Sequence, residues 1–340
     1  MYSICEGLTF DDLLLIPKHS MVMSRSDVDL SVKVKDLTFK HPIIPANMQS
    51  ITGEKMAEAV IRSEGLALIH RFMDLEEQLQ IINNLSYKKE YLNHIGVSVG
   101  IKDCDKDKIK RFIDIGVKIF CIDIAHGDST HGINMTRWIR NNYPNVLIIS
   151  GNVATKFGAK ILWQSGADIV KVNIGAGSIC TTRIETGNGV PQMTALMNAY
   201  SAKEEFELKY NRKVYIISDG GAKSSGDIVK SLCFADMFMS GNMFSGCVET
   251  PGSILSISNK TCKEYRGSST HKSNHIEGVV AIIPTKGKFE NILKKLLEGI
   301  RSGCSYQNAH NLNELKESPE FIKITNAGLV ESNIHDIQLM

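Results

Sequence analysis

Residues 165–183 read SGADIVKVNIGAGSICTTR. Ser165-Gly166-Ala167 closes a helical pattern that begins at Lys156, and Asp168 to Asn173 is an apolar alternating run that ends in the turn Gly175-Ala176-Gly177. A helical pattern that stops at a glycine and at once feeds a β-branched run is the junction of a β/α repeat. Two further junctions have the same build, Ile115-Gly116-Val117-Lys118 and Phe234-Ala235-Asp236. The turn then delivers one cysteine, Cys180, followed by Thr181, Thr182 and Arg183. A strand therefore carries a nucleophile onto a loop whose glycines allow close backbone approach to a phosphate or a monovalent cation. The loop is not a dinucleotide fingerprint: Cys180 stands where that motif's third glycine would fall, and no helical pattern follows at once.

Outward from this junction, short runs rich in β-branched residues recur at Pro42–Ala46, Leu66–Ile69, Ile95–Val99, Ile119–Ile124, Val146–Ile149, Ile169–Val172, Val214–Ile217 and Met237–Met239. The segments between them read as amphipathic helices, as in Lys106–Asp114 and Lys156–Gln164. A chain of 340 residues has room for one large barrel or two smaller domains. Eight β/α units favour a single closed (β/α)8 TIM barrel, α/β in class, over an open doubly wound sheet. Residues 1–340 then form one domain with an N-terminal extension, an active-site loop between Cys180 and Val214, a flap over about 259–287 and a helical C-terminal tail.

In such a barrel the chemistry lies at the C-terminal ends of the strands. The residues just past the runs are Asn47, His70, Gly100, Asp123 with His126, Gly151-Asn152, Asn173 with the Cys180 loop, Asp219-Gly220-Gly221 and Ser240-Gly241-Asn242. Turn chemistry alone explains any one of these. It explains less easily an Asp or Asn at nearly every strand end.

Composition narrows the class. The chain is 43% hydrophobic and 22% charged with a net charge of +2 and no long basic run, so neither nucleic acid nor a membrane surface is expected as a partner. The N-terminus lacks the basic start and apolar core of a secretion signal, and no apolar run approaches bilayer length. The eight cysteines include no Cys-x-x-Cys pair, which argues against a zinc cage or a disulfide framework and makes a reducing, cytoplasmic compartment the expectation.

Gly175-Ala176-Gly177-Ser178-Ile179-Cys180-Thr181-Thr182-Arg183, with Asp219-Gly220-Gly221 and Tyr265-Arg266-Gly267 in that order, resembles the IMP dehydrogenase and GMP reductase family over nearly the whole chain. The resemblance implies that Cys180 is the nucleophile that adds to C2 of the purine ring as a thioimidate. It makes Thr182 and Glu277 a pair that relays protons. The carbonyls of Gly175, Gly177 and Cys180 correspond to a monovalent cation site for K+. Ser178, Gly220, Gly221, Gly241 and Asn242 correspond to the phosphate loops, and Asp219 to the carboxylate that accepts the ribose hydroxyls. Gly267, Ser268, Ser269 and Gly278 fall where the family lines the purine. Asp123, Ile124 and Ala125 match the nicotinamide side, with Ser24, Arg25 and Arg71 as candidate cofactor phosphate contacts, and a homotetramer is expected by resemblance.

The two activities of the family share the thioimidate and differ around it. The dehydrogenase pattern needs an arginine beside a tyrosine on a flap to activate water, whereas Ser268–Ile276 reads SSTHKSNHI. The dehydrogenase usually also carries an inserted regulatory CBS pair, for which the stretch between His70 and His94 is too short. The resemblance thus points to a GMP reductase that converts GMP to IMP with NADPH. Its alternatives are an IMP dehydrogenase that lacks the insertion and a silent nucleotide-binding barrel, the last of which would need no nucleophile. The chain departs from the pattern at Asn173, Ala176, Asn242, Asp128 and Ala222-Lys223, and Ile324–Leu329 with Glu331-Ser332 looks more like bacterial dehydrogenases.

Overall fold

A computed structural model describes residues 4–257, 259–267 and 279–334. All eight apolar runs are strands of one parallel sheet: β1 (Ile43–Pro45), β2 (Ala67–Ile69), β3 (Ile95–Val99), β4 (Ile119–Asp123), β5 (Leu147–Val153), β6 (Ile169–Val172), β7 (Tyr215–Asp219) and β8 (Met237–Ser240). The order is β1-β8-β7-β6-β5-β4-β3-β2, and the outermost strands β1 and β2 meet, bringing the sheet nearly to closure. The helices that follow them are α1 (Glu54–Arg62), α2 (Leu75–Leu85), α3 (Asp103–Asp114), α4 (Thr130–Asn142), α5 (Lys156–Gln164), α6 (Gln192–Tyr210), α7 (Ser225–Leu232) and α8 (Phe289–Tyr306). This is the (β/α)8 barrel of the sequence reading.

The strands read as continuous apolar runs because parallel strands are covered on both faces. Ile43, Ile69, Ile119, Ile149, Ile169 and Ile217 are fully buried. The helices turn one stripe inward: α1 buries Met56, Ala57, Val60 and Ile61, and α5 buries Gly158, Ala159, Leu162 and Trp163. The hydroxyls of Ser129, Thr155 and Ser224 accept backbone N–H groups at the starts of α4, α5 and α7. The stops predicted at Gly116 and Gly166 are left-handed glycines, at φ +90° and +109°, each donating its N–H to a carbonyl of the last helical turn.

Outside the barrel, Leu13–Leu15 pairs antiparallel with Phe321–Lys323, tying the N-terminal extension to the tail. The tail therefore contains a strand between its helices Leu312–Leu315 and Asn326–Glu331. The flap region, expected as a polar loop, is in its described parts a three-stranded antiparallel sheet of Leu255–Ile257, Lys260–Arg266 and Val280–Pro284. Its central strand hides from a sequence reading because one buried position is a lysine. Lys263 is 2% exposed, and its Nζ donates to the carbonyls of Cys247 (3.2 Å), Val248 (3.0 Å) and Thr250 (2.5 Å) and to Thr250 Oγ1 (3.1 Å). No helix among the described residues is long and apolar enough to cross a membrane.

Candidate active site

The strand ends open onto one cavity of about 820 Å³. The loop after β6 forms its most reactive wall. Asn173 leaves the sheet with its N–H still donated to Val153 O at 3.0 Å, and Gly175 turns the chain at φ +81°. A β-carbon at Gly175 or at Gly189 would stand 2.6 Å from Arg183 Cγ, so the arginine stem lies where two glycines leave room for it. The Arg183 guanidinium donates to Val190 O at 2.7 Å, and Ile174 bridges to Val190, which closes the loop at its base. Held this way, Cys180 is exposed at the cavity, its Sγ 3.0 Å from Thr182 Oγ1, to which it donates. Thr182 opens the one-turn helix Thr182–Thr186, which ends at the left-handed Gly187.

Opposite the nucleophile, Asp219 ends β7. Asn152 Nδ2 donates to Asp219 Oδ2 at 2.8 Å, and Lys171 Nζ lies 3.6 Å from the same oxygen. Two groups on one oxygen fix the direction of the carboxylate at the cavity wall. Gly220 and Gly221 follow at φ +76° and +83°, a bend that side chains would strain. On the next strand, a β-carbon at Gly241 would fall 2.6 Å from the Tyr265 hydroxyl. That phenol is hydrogen-bonded to Ser178, and burial, its largest influence, raises it above the usual tyrosine range.

Asp123 ends β4 on the other side. Arg71 Nε donates to the Asp123 carbonyl at 3.0 Å and lies 3.5 Å from its Oδ2, while the Arg71 guanidinium sits 4.6 Å over the Phe72 ring. Lys171 Nζ is 3.5 Å from Asp123 Oδ1 and 3.5 Å from Asn47 Oδ1. Burial by itself would lower Lys171; the negative charges of Asp219 and Asp123 outweigh it and hold the ammonium above the usual lysine range.

The cavity thus gathers Cys180, Thr182, Ser178, Gly175 and Gly177 from one loop with Asp219, Gly220 and Gly221 from the next. Gly241, Asn242 and Gly267 join them from the phosphate and flap side, and Asp123, Ile124, Ala125 and Arg71 from the far wall. Ser24 and Arg25 lie elsewhere, at a 3-10 turn whose next residue, Val28, accepts from Arg301 on α8. Ser268, Ser269, Glu277 and Gly278 fall outside the described residues. Lys171 and Tyr265 were missed as site residues. A lone charge inside the apolar run Ile169–Val172 was the available signal for the first, and the tyrosine beside the Arg266-Gly267 pair for the second.

A model of the IMP dehydrogenase / GMP reductase domain matches residues 7–335. The chain belongs to this family. It is 33% identical to a GMP reductase of Lactobacillus acidophilus, with 98% of each chain covered, and 36% identical to one of Buchnera aphidicola subsp. Schizaphis graminum, with 94% of each covered. It is also 30% identical to an inosine-5'-monophosphate dehydrogenase of Nitrosopumilus maritimus, covering 98% of this chain and 99% of the relative in an alignment 478 positions long. A crystal structure of a GMP reductase from Trypanosoma brucei in complex with guanosine 5'-monophosphate shares the fold, with a TM-score of 0.87, 24% identity and 99% of each chain covered. The family is one of nicotinamide-dependent oxidoreductases acting on purine nucleotides.

Proposed function

We propose that this chain is a GMP reductase that deaminates GMP to IMP and ammonia with NADPH. The observation that carries the reading is the placement of Cys180, exposed and 3.0 Å from the Thr182 hydroxyl, in one cavity with a carboxylate held by Asn152 and Lys171. The ribose hydroxyls donate to Asp219, and the phosphate takes the backbone N–H groups of Gly220, Gly221, Gly241 and Asn242 with Ser178. The Cys180 thiolate adds to C2 of the purine, and the amino group leaves as ammonia after protonation through Thr182 and Glu277. Bound NADPH supplies the hydride that reduces the thioimidate and releases IMP. Asp123, Ile124, Ala125 and Arg71 fit the nicotinamide end, since they line the same cavity as the nucleophile loop. The carbonyls of Gly175, Gly177 and Cys180 fit K+, being uncharged oxygens of one short loop, and the Gly177 carbonyl also accepts the Cys180 N–H at 3.1 Å.

Reductase is favoured over dehydrogenase by the chain between β2 and β3. It contains α2 and the short 3-10 helix Lys89–Asn93, which leaves no length for an inserted module. The dehydrogenase reading is supported by the match over 98% of the chain to the dehydrogenase of Nitrosopumilus maritimus and by the C-terminal run Ile324–Leu329 with Glu331-Ser332. Absorbance of the reduced nicotinamide decides: loss with GMP and NADPH in potassium buffer establishes the reductase, a gain with IMP and NAD the dehydrogenase, and silence in both a nucleotide-binding barrel.

A further inference from the structure

We propose that Asn173 is a positioning residue that couples the Cys180 loop to the Asp219–Gly221 loop, so that nucleotide binding and thiol reactivity are linked. The proposal rests on the reading of these two loops as one nucleotide site. Asn173 follows β6 directly, and its side-chain amide forks between the loops: Nδ2 donates to Asp219 O at 2.5 Å, and Oδ1 accepts the Ala176 N–H at 2.8 Å. Reversing the amide would set N–H against N–H and oxygen against oxygen, so its orientation is fixed by its partners. The loops also touch along this seam. A β-carbon at Gly221 would lie 3.3 Å from Ala176 Cβ, and one at Gly220 would lie 3.8 Å from Gly177 Cα.

The fork has a functional direction. A nucleotide held by the Asp219 carboxylate and the Gly220 and Gly221 amides sets the path of the backbone at residue 219. Its carbonyl sets the Asn173 amide, which sets the Ala176 N–H, four residues before Cys180. The 176 position must have an N–H for this to work, which alanine has and proline lacks.

The test uses the full chain and four variants: Asn173→Ala, Asn173→Asp, Ala176→Pro and the double Asn173→Ala/Ala176→Pro. Iodoacetamide modification of Cys180 is followed by peptide mass spectrometry without nucleotide, GMP binding by calorimetry, and folding by circular dichroism. Asn173→Ala and Ala176→Pro each change the Cys180 alkylation rate at least fivefold and weaken GMP at least threefold. The double variant is no worse than the worse single, because both remove the same hydrogen bond. Asn173→Asp keeps the acceptor for Ala176 and loses the donor to Asp219, so it weakens GMP while leaving the free thiol's rate within twofold, a split that general loosening would not give. If the proline variant does not fold, the two Asn173 variants decide. Singles whose effects multiply in the double, or Asn173 variants within twofold of the parent in both readouts, overturn the coupling. A parent that binds no GMP overturns the site reading itself, and the coupling with it.

Discussion

Lys171 Nζ lies 3.6 Å from Asp219 Oδ2 on the neighbouring strand, and the same ammonium lies 3.5 Å from Asp123 Oδ1. One buried cation thus serves two carboxylates on opposite walls of the cavity, one facing the expected ribose and the other the expected nicotinamide.

Replacing Lys171 by methionine leaves the two carboxylates without their shared cation. Loss of one partner from a buried pair costs about 3–5 kcal/mol. Denaturant unfolding of Lys171→Met is expected to show a loss of this order, and calorimetry a weaker affinity for GMP, with part of both recovered in Lys171→Arg. An unchanged unfolding midpoint would show that the ammonium is not what holds the carboxylates.

The thiols divide by burial. Cys121, Cys233, Cys247, Cys262 and Cys304 are buried, whereas Cys5, Cys104 and Cys180 are exposed, and burial pushes the thiols of Cys121, Cys233, Cys247 and Cys304 up to about 12. Alkylation of the native protein should therefore mark only the exposed three, with GMP protecting Cys180 and neither of the others. Cys180→Ala should bind GMP and turn over none of it. Protection of Cys104 to the same degree would mean that GMP acts by tightening the whole fold.

Glu277→Gln tests the proton relay. The substitution keeps size and removes the ionisable group, so release of ammonia should slow at least tenfold while hydride transfer to a preformed adduct slows less. Equal slowing of the two partial reactions, measured in single-turnover experiments, would remove Glu277 from that role.

His41 gives stability a pH dependence unrelated to catalysis. It is 2% exposed, and burial lowers its pKa to about 4, so the native imidazole stays neutral where the unfolded one begins to charge near 6.5. Below pH 6.5 the unfolded state binds the extra proton, so stability falls as pH drops from 6.5 to about 4 and the loss levels off below that. The full loss from this group is about 3 kcal/mol. Unfolding curves across that range should show it in the parent and not in His41→Phe, whatever the absolute stability of the variant.

The barrel was legible because its strands are apolar on both faces and its helices stop at glycines. The α5 helix begins and ends where its pattern does, while α3 starts three residues before the predicted Lys106, where the Asp105 carboxylate accepts the Lys102 N–H and fixes an earlier turn. The strand that carries Lys263 was not legible, and in β6 the strand was legible but the place of its lysine was not. Lys171 and Lys263 break the apolar pattern in sequence and make sense only once their oxygen partners are brought in from distant segments. The same holds at the nucleophile loop: Asn173 and Ala176 stood out separately as departures from the family pattern, and only the fold joins them by a hydrogen bond.

Lys263 places an ammonium among four oxygens of the chain segment that follows β8, the kind of nest in which other proteins keep a loose alkali ion. A tethered cation cannot be dialysed away or exchanged for sodium. The foot of the flap sheet thereby carries its own positive charge, supplied by the chain and not drawn from the medium.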